Sequence, residues 1–245
     1  MSYQWNWSVF TEPTVTGDGG VYWDWMVAGL KMTVTVSLSA WAIALVLGCL
    51  MGVLRTVPSP WLRRLATGYV EVLRNIPLLV QLFIWYFIVP ELLPTAWGDA
   101  IKQLAPETQQ FGAAVLCLGL FTSARVSEQV RAGILSQPVG QVRAALALGL
   151  SLPQAYRHVL LPMALRLVVP PITSEFLNIF KNSAVCSTIG LLELAAQGRQ
   201  LVDYTAQAYE SFIAVTLMYL AINVVVMLLM SWLEKRVRVP GYMGQ

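Results

Sequence analysis

Arg143-Ala144-Ala145-Leu146-Ala147-Leu148-Gly149, separated by nine residues from Val159-Leu160-Leu161-Pro162, is a polar connection set between two long apolar runs. Val139, Val142 and Leu146 recur at helical spacing opposite Gln141 and Arg143, which predicts a short amphipathic helix. Gly149 offers the left-handed residue that ends a helix at little cost. Ser151 and Gln154 form a Ser-x-x-Gln capping box with Pro153 tolerated in the first turn, so a second short helix is expected to begin there. A helix, a tight glycine turn and a second helix, all on the water side of a membrane, make a surface that a soluble partner can grip. The same residues also fit an amphipathic connector that lies on the surface without a partner.

The flanking runs set the solvent. Of 245 residues 57% are hydrophobic and 12% charged, about half the charged share of an ordinary soluble domain, so the chain must use lipid. Taking about 20 apolar residues to cross about 30 Å of hydrocarbon, five spans are expected, at Met26 to Leu54, Tyr69 to Leu93, Gln110 to Leu135, Leu161 to Asn182 and Ser211 to Leu233. These runs are too long and too continuously apolar for barrel strands. The expected fold class is an all-α integral membrane protein with five transmembrane helices. It forms one domain over residues 1–245, with a tail at 1–25 and the water-side loop at about 137–160. Gly48 and Gly52 form a small-xxx-small pair, the pattern of close helix packing. No cleavable leader is expected, because the first twenty residues hold neither Lys nor Arg nor a continuous apolar stretch.

Lys and Arg fall on one side of these spans. Arg55, Arg63 and Arg64 follow the first, Arg131, Arg143 and Arg157 lie between the third and fourth, and Lys235, Arg236 and Arg238 follow the fifth, which makes these segments cytoplasmic. The other side is acidic, with Glu12, Asp18, Asp24, Glu91, Asp99, Glu107, Glu193, Asp203 and Glu210 against only Lys102 and Arg199. The expected topology is a multi-pass membrane protein with the N-terminus outside and the C-terminus in the cytoplasm. Trp5, Trp7, Trp23, Trp25, Trp97 and Trp232 sit near the expected water boundaries, where interfacial aromatics collect.

Several function classes drop out. A net charge of +3, with basic residues segregated by loop, gives no nucleic-acid footprint. Cys49, Cys117 and Cys186 lie far apart in apolar runs and read as small packing residues, and His158 reads as a solvated surface residue. No phosphate loop, catalytic triad or metal cluster is present in the sequence, so neither enzymatic chemistry nor a cofactor is expected of this chain.

The loop matches a known pattern. Its spacing resembles the coupling loop of ATP-binding-cassette importer permeases, which runs Glu-Ala-Ala, three residues, Gly, nine residues, Ile-x-Leu-Pro. Here Arg143 replaces the Glu and Val159 the Ile. A second stretch, Glu71-x-x-Arg74-Asn75-x-Pro77-Leu78-x-x-Gln81, resembles the signature of the polar amino acid branch, the histidine/glutamine-type permeases. The likeness extends through Thr173-Ser174-Glu175, Lys181-Asn182-Ser183 and Ser187-Thr188-Ile189-Gly190. At Phe121-Thr122-x-Ala124-Arg125-Val126 and around Val237-Arg238 it is greatest to the permeases of glutamate/aspartate importers.

That resemblance implies a type I importer permease of the bacterial inner membrane, working by alternating access. It implies four kinds of neighbour: a second homologous permease, two ABC ATPase subunits that hydrolyse the ATP, an extracytoplasmic amino-acid-binding protein and the lipid bilayer. It also implies that Gln141, Arg143, Ala144, Ala145, Gly149, Ser151, Leu161 and Pro162 couple to the ATPases.

Candidate substrate contacts come from the residues themselves. Ser174, Glu175, Asn178, Lys181 and Asn182 share one face of the fourth span, a face that cannot look at lipid. Glu175 and Lys181 are six residues apart and cannot pair directly, so each is expected to seek another element, water or a ligand. An amino acid offers a carboxylate to Lys181 and an ammonium to Glu175. The alternative is a polar seam between subunits that never touches substrate. Arg125 suits a carboxylate bidentately, or else it pairs with Glu128 one turn on. Glu71 and Arg74 are also one turn apart and can neutralise each other, while Asn75 and Gln81 read as helix-to-helix hydrogen-bonding groups. Two competing functions remain: an ATP-independent ion-coupled carrier or channel, and an importer of another polar amino acid. No internal repeat favours the former.

Overall fold

The structure is a computed structural model that describes residues 3–17 and 19–237. Asp18 and Arg238, counted above as topology markers, lie outside the described residues, as does the Val139 side chain. Apart from one bridge between Pro13 and Val21, the described chain is helical. The helices are α1 (Tyr22–Leu54), α2 (Pro60–Asn75), α3 (Leu78–Leu92), α4 (Thr95–Lys102), α5 (Pro106–Leu135), α6 (Val139–Ala147), α7 (Leu152–Ile189), α8 (Leu194–Thr205) and α9 (Ala208–Val237).

Four of these, α1, α5, α7 and α9, are long and apolar enough to cross a membrane. The expected second span is a broken pair, α2 and α3, instead of one straight helix from Tyr69. Pro77 explains the break, since it supplies no N–H and pushes Ile76 to extended backbone at φ −100°, ψ 128°. The second short helix expected at Ser151 is the first turn of α7 itself. It runs into the fourth span through a π-helical turn over Tyr156–Leu160. A like turn occupies Ile84–Ile88 within α3. Each ends just before a residue whose successor is proline, Leu161 before Pro162 and Val89 before Pro90, and the N–H of Leu161 and of Val89 reaches back five residues, to Tyr156 and Ile84. A proline ring crowds the carbonyl four residues back, and widening the turn relieves it.

The chain divides into two compact units. One comprises Met1–Ala40, Leu78–Leu118 and Ile179–Val225. Its core gathers Val9, Tyr22, Met26, Leu194, Leu201 and Val215. Glu193 and Glu210, counted above among the acids of one side, are fully buried here. Glu193 caps α8, accepting from Ala196 N at 2.8 Å and from the Tyr219 hydroxyl at 2.5 Å. Glu210 ties down the N-terminal tail by accepting from Asn6 N at 2.6 Å and from the Tyr3 hydroxyl. Their charges thus serve the core and not the loops.

The other unit comprises Trp41–Pro77, Gly119–Asn178 and Val226–Gln245. Val126, Val130, Ile134, Ala164, Val168 and Ile172 form its core, with Trp41, Leu45, Cys49 and Val53 packed against them. Gly48 and Gly52 allow this packing. A Cβ on either would lie 2.6 Å from Val126 or Val130 and 2.9 Å from the carbonyl of Ser123 or Ser127. The small-residue pair therefore does what its spacing suggests.

Candidate functional site

Within this second unit, α5 places Phe121, Arg125, Glu128 and Gln129 at three- and four-residue spacing, so that they share one face. With Arg74 of α2 and Glu175 of α7 they line a cavity of about 240 Å³. Arg125 Nε donates to Glu175 Oε2 at 2.8 Å. The carboxylate is enclosed, with 8% of its side chain exposed against 46% for Arg125, and the guanidinium lies 5.7 Å over the Phe121 ring. Glu128 is shared three ways: Oε1 accepts from Arg55 Nη1 at 2.8 Å and Arg74 Nη1 at 2.6 Å, and Oε2 accepts from Arg131 Nε at 3.4 Å. Unpaired charges are costly at membrane depth, which is why every acid here has a base. Four arginines nevertheless face two glutamates in this cluster, leaving two positive charges in surplus.

These pairings correct two expectations, the Glu71–Arg74 and Arg125–Glu128 pairs, and bear out the expected partner of Glu175 on another element. Arg74 does not neutralise Glu71 but reaches Glu128, and Glu71 accepts instead from Asn75 Nδ2, at 2.7 Å to its carbonyl and 3.2 Å to Oε2. Arg125 joins Glu175 and not Glu128. Glu175 thus finds on α5 the partner on another element that its spacing from Lys181 calls for. Lys181 is exposed and makes no ion pair among the described residues, Ser174 is exposed, and Asn178 and Asn182 are half-buried. Asn75 bonds within its own helix, Pro77 sits at the break, and Gln81 is buried on α3. In the sequence Arg55 and Arg131 read only as topology markers. Their hint as ion-pair partners was Glu128, an acid inside an apolar run that Arg125 and Arg131 flank at helical spacing.

The water-side segment follows its predicted outline. Gly149 has φ +84°, Leu150 N bonds Ala145 O at 3.2 Å and Gly149 N bonds Leu146 O at 3.0 Å, the paired bonds of a Schellman ending. Gln154 Oε1 accepts from Ser151 N at 2.8 Å and Ser151 Oγ at 2.9 Å. The buried side of α6 differs from expectation. Ala145 is the enclosed residue, while Leu146 and Leu148 are 43% and 83% exposed. Arg143, Ala144, Gly149, Ser151 and Pro162 are exposed as well, with Gln141 and Leu161 half-buried. Just beyond, the Tyr156 hydroxyl donates to Thr56 O at 2.9 Å, and Gln137 Nε2 donates to Leu160 O at 3.0 Å, fixing the segment to its own unit.

The family model described as binding-protein-dependent transport system inner membrane component matches residues 44–239. The chain is 53% identical over 245 residues to the glutamate/aspartate import permease protein GltJ of Escherichia coli strain K12, covering 100% of this chain and 99% of that one. It is 33% identical over 214 residues to the glutamine transport system permease protein GlnP of the same strain, covering 87% and 93%. Among solved structures, the crystal structure of an amino acid ABC transporter with histidines superposes with a TM-score of 0.72 at 28% identity, covering 88% of this chain and 95% of that chain.

Proposed function

We propose that this chain, which belongs to the family of binding-protein-dependent transport system inner membrane components, is the permease subunit of an ATP-driven importer of glutamate and aspartate. The observation that carries the substrate is the full-length 53% identity to a permease named for those two amino acids, against 33% to one named for glutamine. The positive surplus around Glu128 accords with it, because an acidic amino acid brings one net negative charge. The chain acts as one permease domain that is not itself catalytic. ATP is hydrolysed on two partner ATPase subunits, a second homologous permease completes the path, and an extracytoplasmic binding protein delivers the substrate.

Coupling runs through Gln141, Arg143, Ala144, Ala145, Gly149, Ser151, Leu161 and Pro162. The exposure of Leu146 and Leu148 on this turn supports a docking role, since apolar side chains in water gain from being covered. Closure of the ATPases pushes the turn, and Tyr156 and Gln137 pass the push to the ends of α1 and α5, biasing a two-state bundle between outward and inward openings. Ser174, Glu175, Asn178, Lys181, Asn182 and Arg125 line the path. The chain sits in a bacterial inner membrane with its N-terminus outside.

Vesicles carrying the assembled complex, with binding protein outside and ATP inside, test this reading. Radiolabelled glutamate should accumulate, unlabelled aspartate should compete, and omission of ATP should abolish uptake. Accumulation without ATP would favour an ion-coupled carrier, and stronger competition by glutamine than by aspartate would move the substrate to another polar amino acid.

A further inference from the structure

The Glu128 cluster holds more positive charge than it needs, and the surplus is not evenly placed. Arg55 is enclosed, with 6% of its side chain exposed, and already neutralises Glu128 at 2.8 Å. Arg74 bonds the same oxygen but is 45% exposed and lines the cavity. Its single carboxylate partner is therefore shared, and one bond to Glu128 uses only one of the five N–H donors of its guanidinium. Arg125 differs, because it has Glu175 to itself.

Resting on the substrate reading above, we propose that Arg74 receives the side-chain carboxylate of an acidic substrate. The permease cavity itself then discriminates acidic from neutral amino acids. The Arg125–Glu175 pair presents one cation and one anion, the complement of the carboxylate and ammonium that every amino acid carries. A second carboxylate needs a further cation, and Arg74 is the remaining cation among the cavity-lining residues. Its planar fork matches a carboxylate bidentately and can exchange its share of Glu128 for the ligand without leaving Glu128 unpaired, since Arg55 and Arg131 stay bound. A neutral amino acid offers Arg74 nothing equivalent, and a basic one meets the surplus.

The test uses the purified complex of both permeases and both ATPases without binding protein, so that only the membrane site selects. Equilibrium binding of radiolabelled glutamate and glutamine is measured alongside glutamate uptake by vesicles of the complete system. Wild type should prefer glutamate. Arg74→Gln should weaken glutamate binding about tenfold or more, the worth of a lost charge-assisted contact, while glutamine binding stays within about twofold. Arg74→Lys should keep part of the preference. Arg131→Gln removes a charge that touches Glu128 but does not line the cavity, and should leave the preference in place. An unchanged glutamate-to-glutamine ratio in Arg74→Gln overturns the proposal, as does an equal fall in Arg131→Gln or wild type that binds no glutamate while importing it. If Arg74→Gln does not assemble, wild-type affinities in Arg74→Lys overturn it. Absence of glutamate uptake by the wild-type system would instead strike the substrate reading.

Discussion

Glu175 and Lys181 sit six residues apart on α7, yet their surroundings give them different tasks. Glu175 is 8% exposed and bound to Arg125, whereas Lys181 is exposed and pairs with nothing among the described residues. Glu175→Gln keeps the volume and removes the charge. Cutting one partner from a fully buried pair costs about 3–5 kcal/mol, but water can solvate the half-exposed Arg125, so the cost here falls well below that range. The variant complex should therefore assemble at wild-type yield while glutamate uptake falls at least about tenfold, the loss expected of one charged contact. Wild-type uptake would make the pair a seam between helices. Lys181→Met should likewise depress uptake with assembly intact, and Lys181→Arg should restore part of it, because charge survives while geometry changes. Uptake that is indifferent to both substitutions would remove Lys181 from the path.

Helix packing and turns show which parts of the structure a local pattern can specify. Gly48, Gly52, Gly149 and the Ser151–Gln154 pair could be read from spacing because each satisfies its own neighbourhood. Glycines four apart make a flat helix face, a glycine after a helix takes φ +84°, and a Gln three residues on folds back to Ser151. Apart from Glu128 and Arg131, three residues apart, the ion pairs of the cavity could not be read this way. Glu128 draws on residues 73 and 54 positions away, and Arg125 on one 50 away, so the nearest charge in sequence is a poor guide to the nearest in space. The break at Pro77 is hidden by apolar content that continues across it, and its one local signal is the proline itself, which pushes the residue before it to extended backbone.

These elements carry their own predictions. Gly52→Leu must push apart α1 and α5 at Val130 and the Ser127 carbonyl, and overpacking of this kind costs about 1–3 kcal/mol or more. The midpoint of thermal unfolding in detergent should drop, and an unchanged midpoint would mean the helices separate freely. Gly149→Asp is different, since no heavy atom lies within 4 Å of its added Cβ. Left-handed strain of about 1–2 kcal/mol and a new charge fall on the turn alone. Its complex should melt only about a few degrees below wild type, but ATP-driven uptake should fail while ATP hydrolysis persists. Normal uptake would show that the turn is not where force is passed.

Orientation decides which ends of the helices an ATPase and a binding protein can reach, and it rests on charges that the structure leaves at the surface. With Glu193 and Glu210 withdrawn into the core, and Asp18 and Arg238 outside the described residues, the asymmetry still stands on Glu91 and Asp99 against Arg63 and Arg64. The positive-inside rule counts Lys and Arg and gives acids little weight, so burying those two acids does not weaken it. Asp99 and Asp203, which the charge rule expects outside, are exposed, and so is Arg64 at the start of α2, which the same rule expects in the cytoplasm. The native cysteines are buried or half-buried and give little background. In intact cells a membrane-impermeant maleimide should label Asp99→Cys and Asp203→Cys and leave Arg64→Cys untouched until the membrane is opened. Labelling of Arg64→Cys from outside would invert the topology, and with it the side from which an ATPase could reach Leu148.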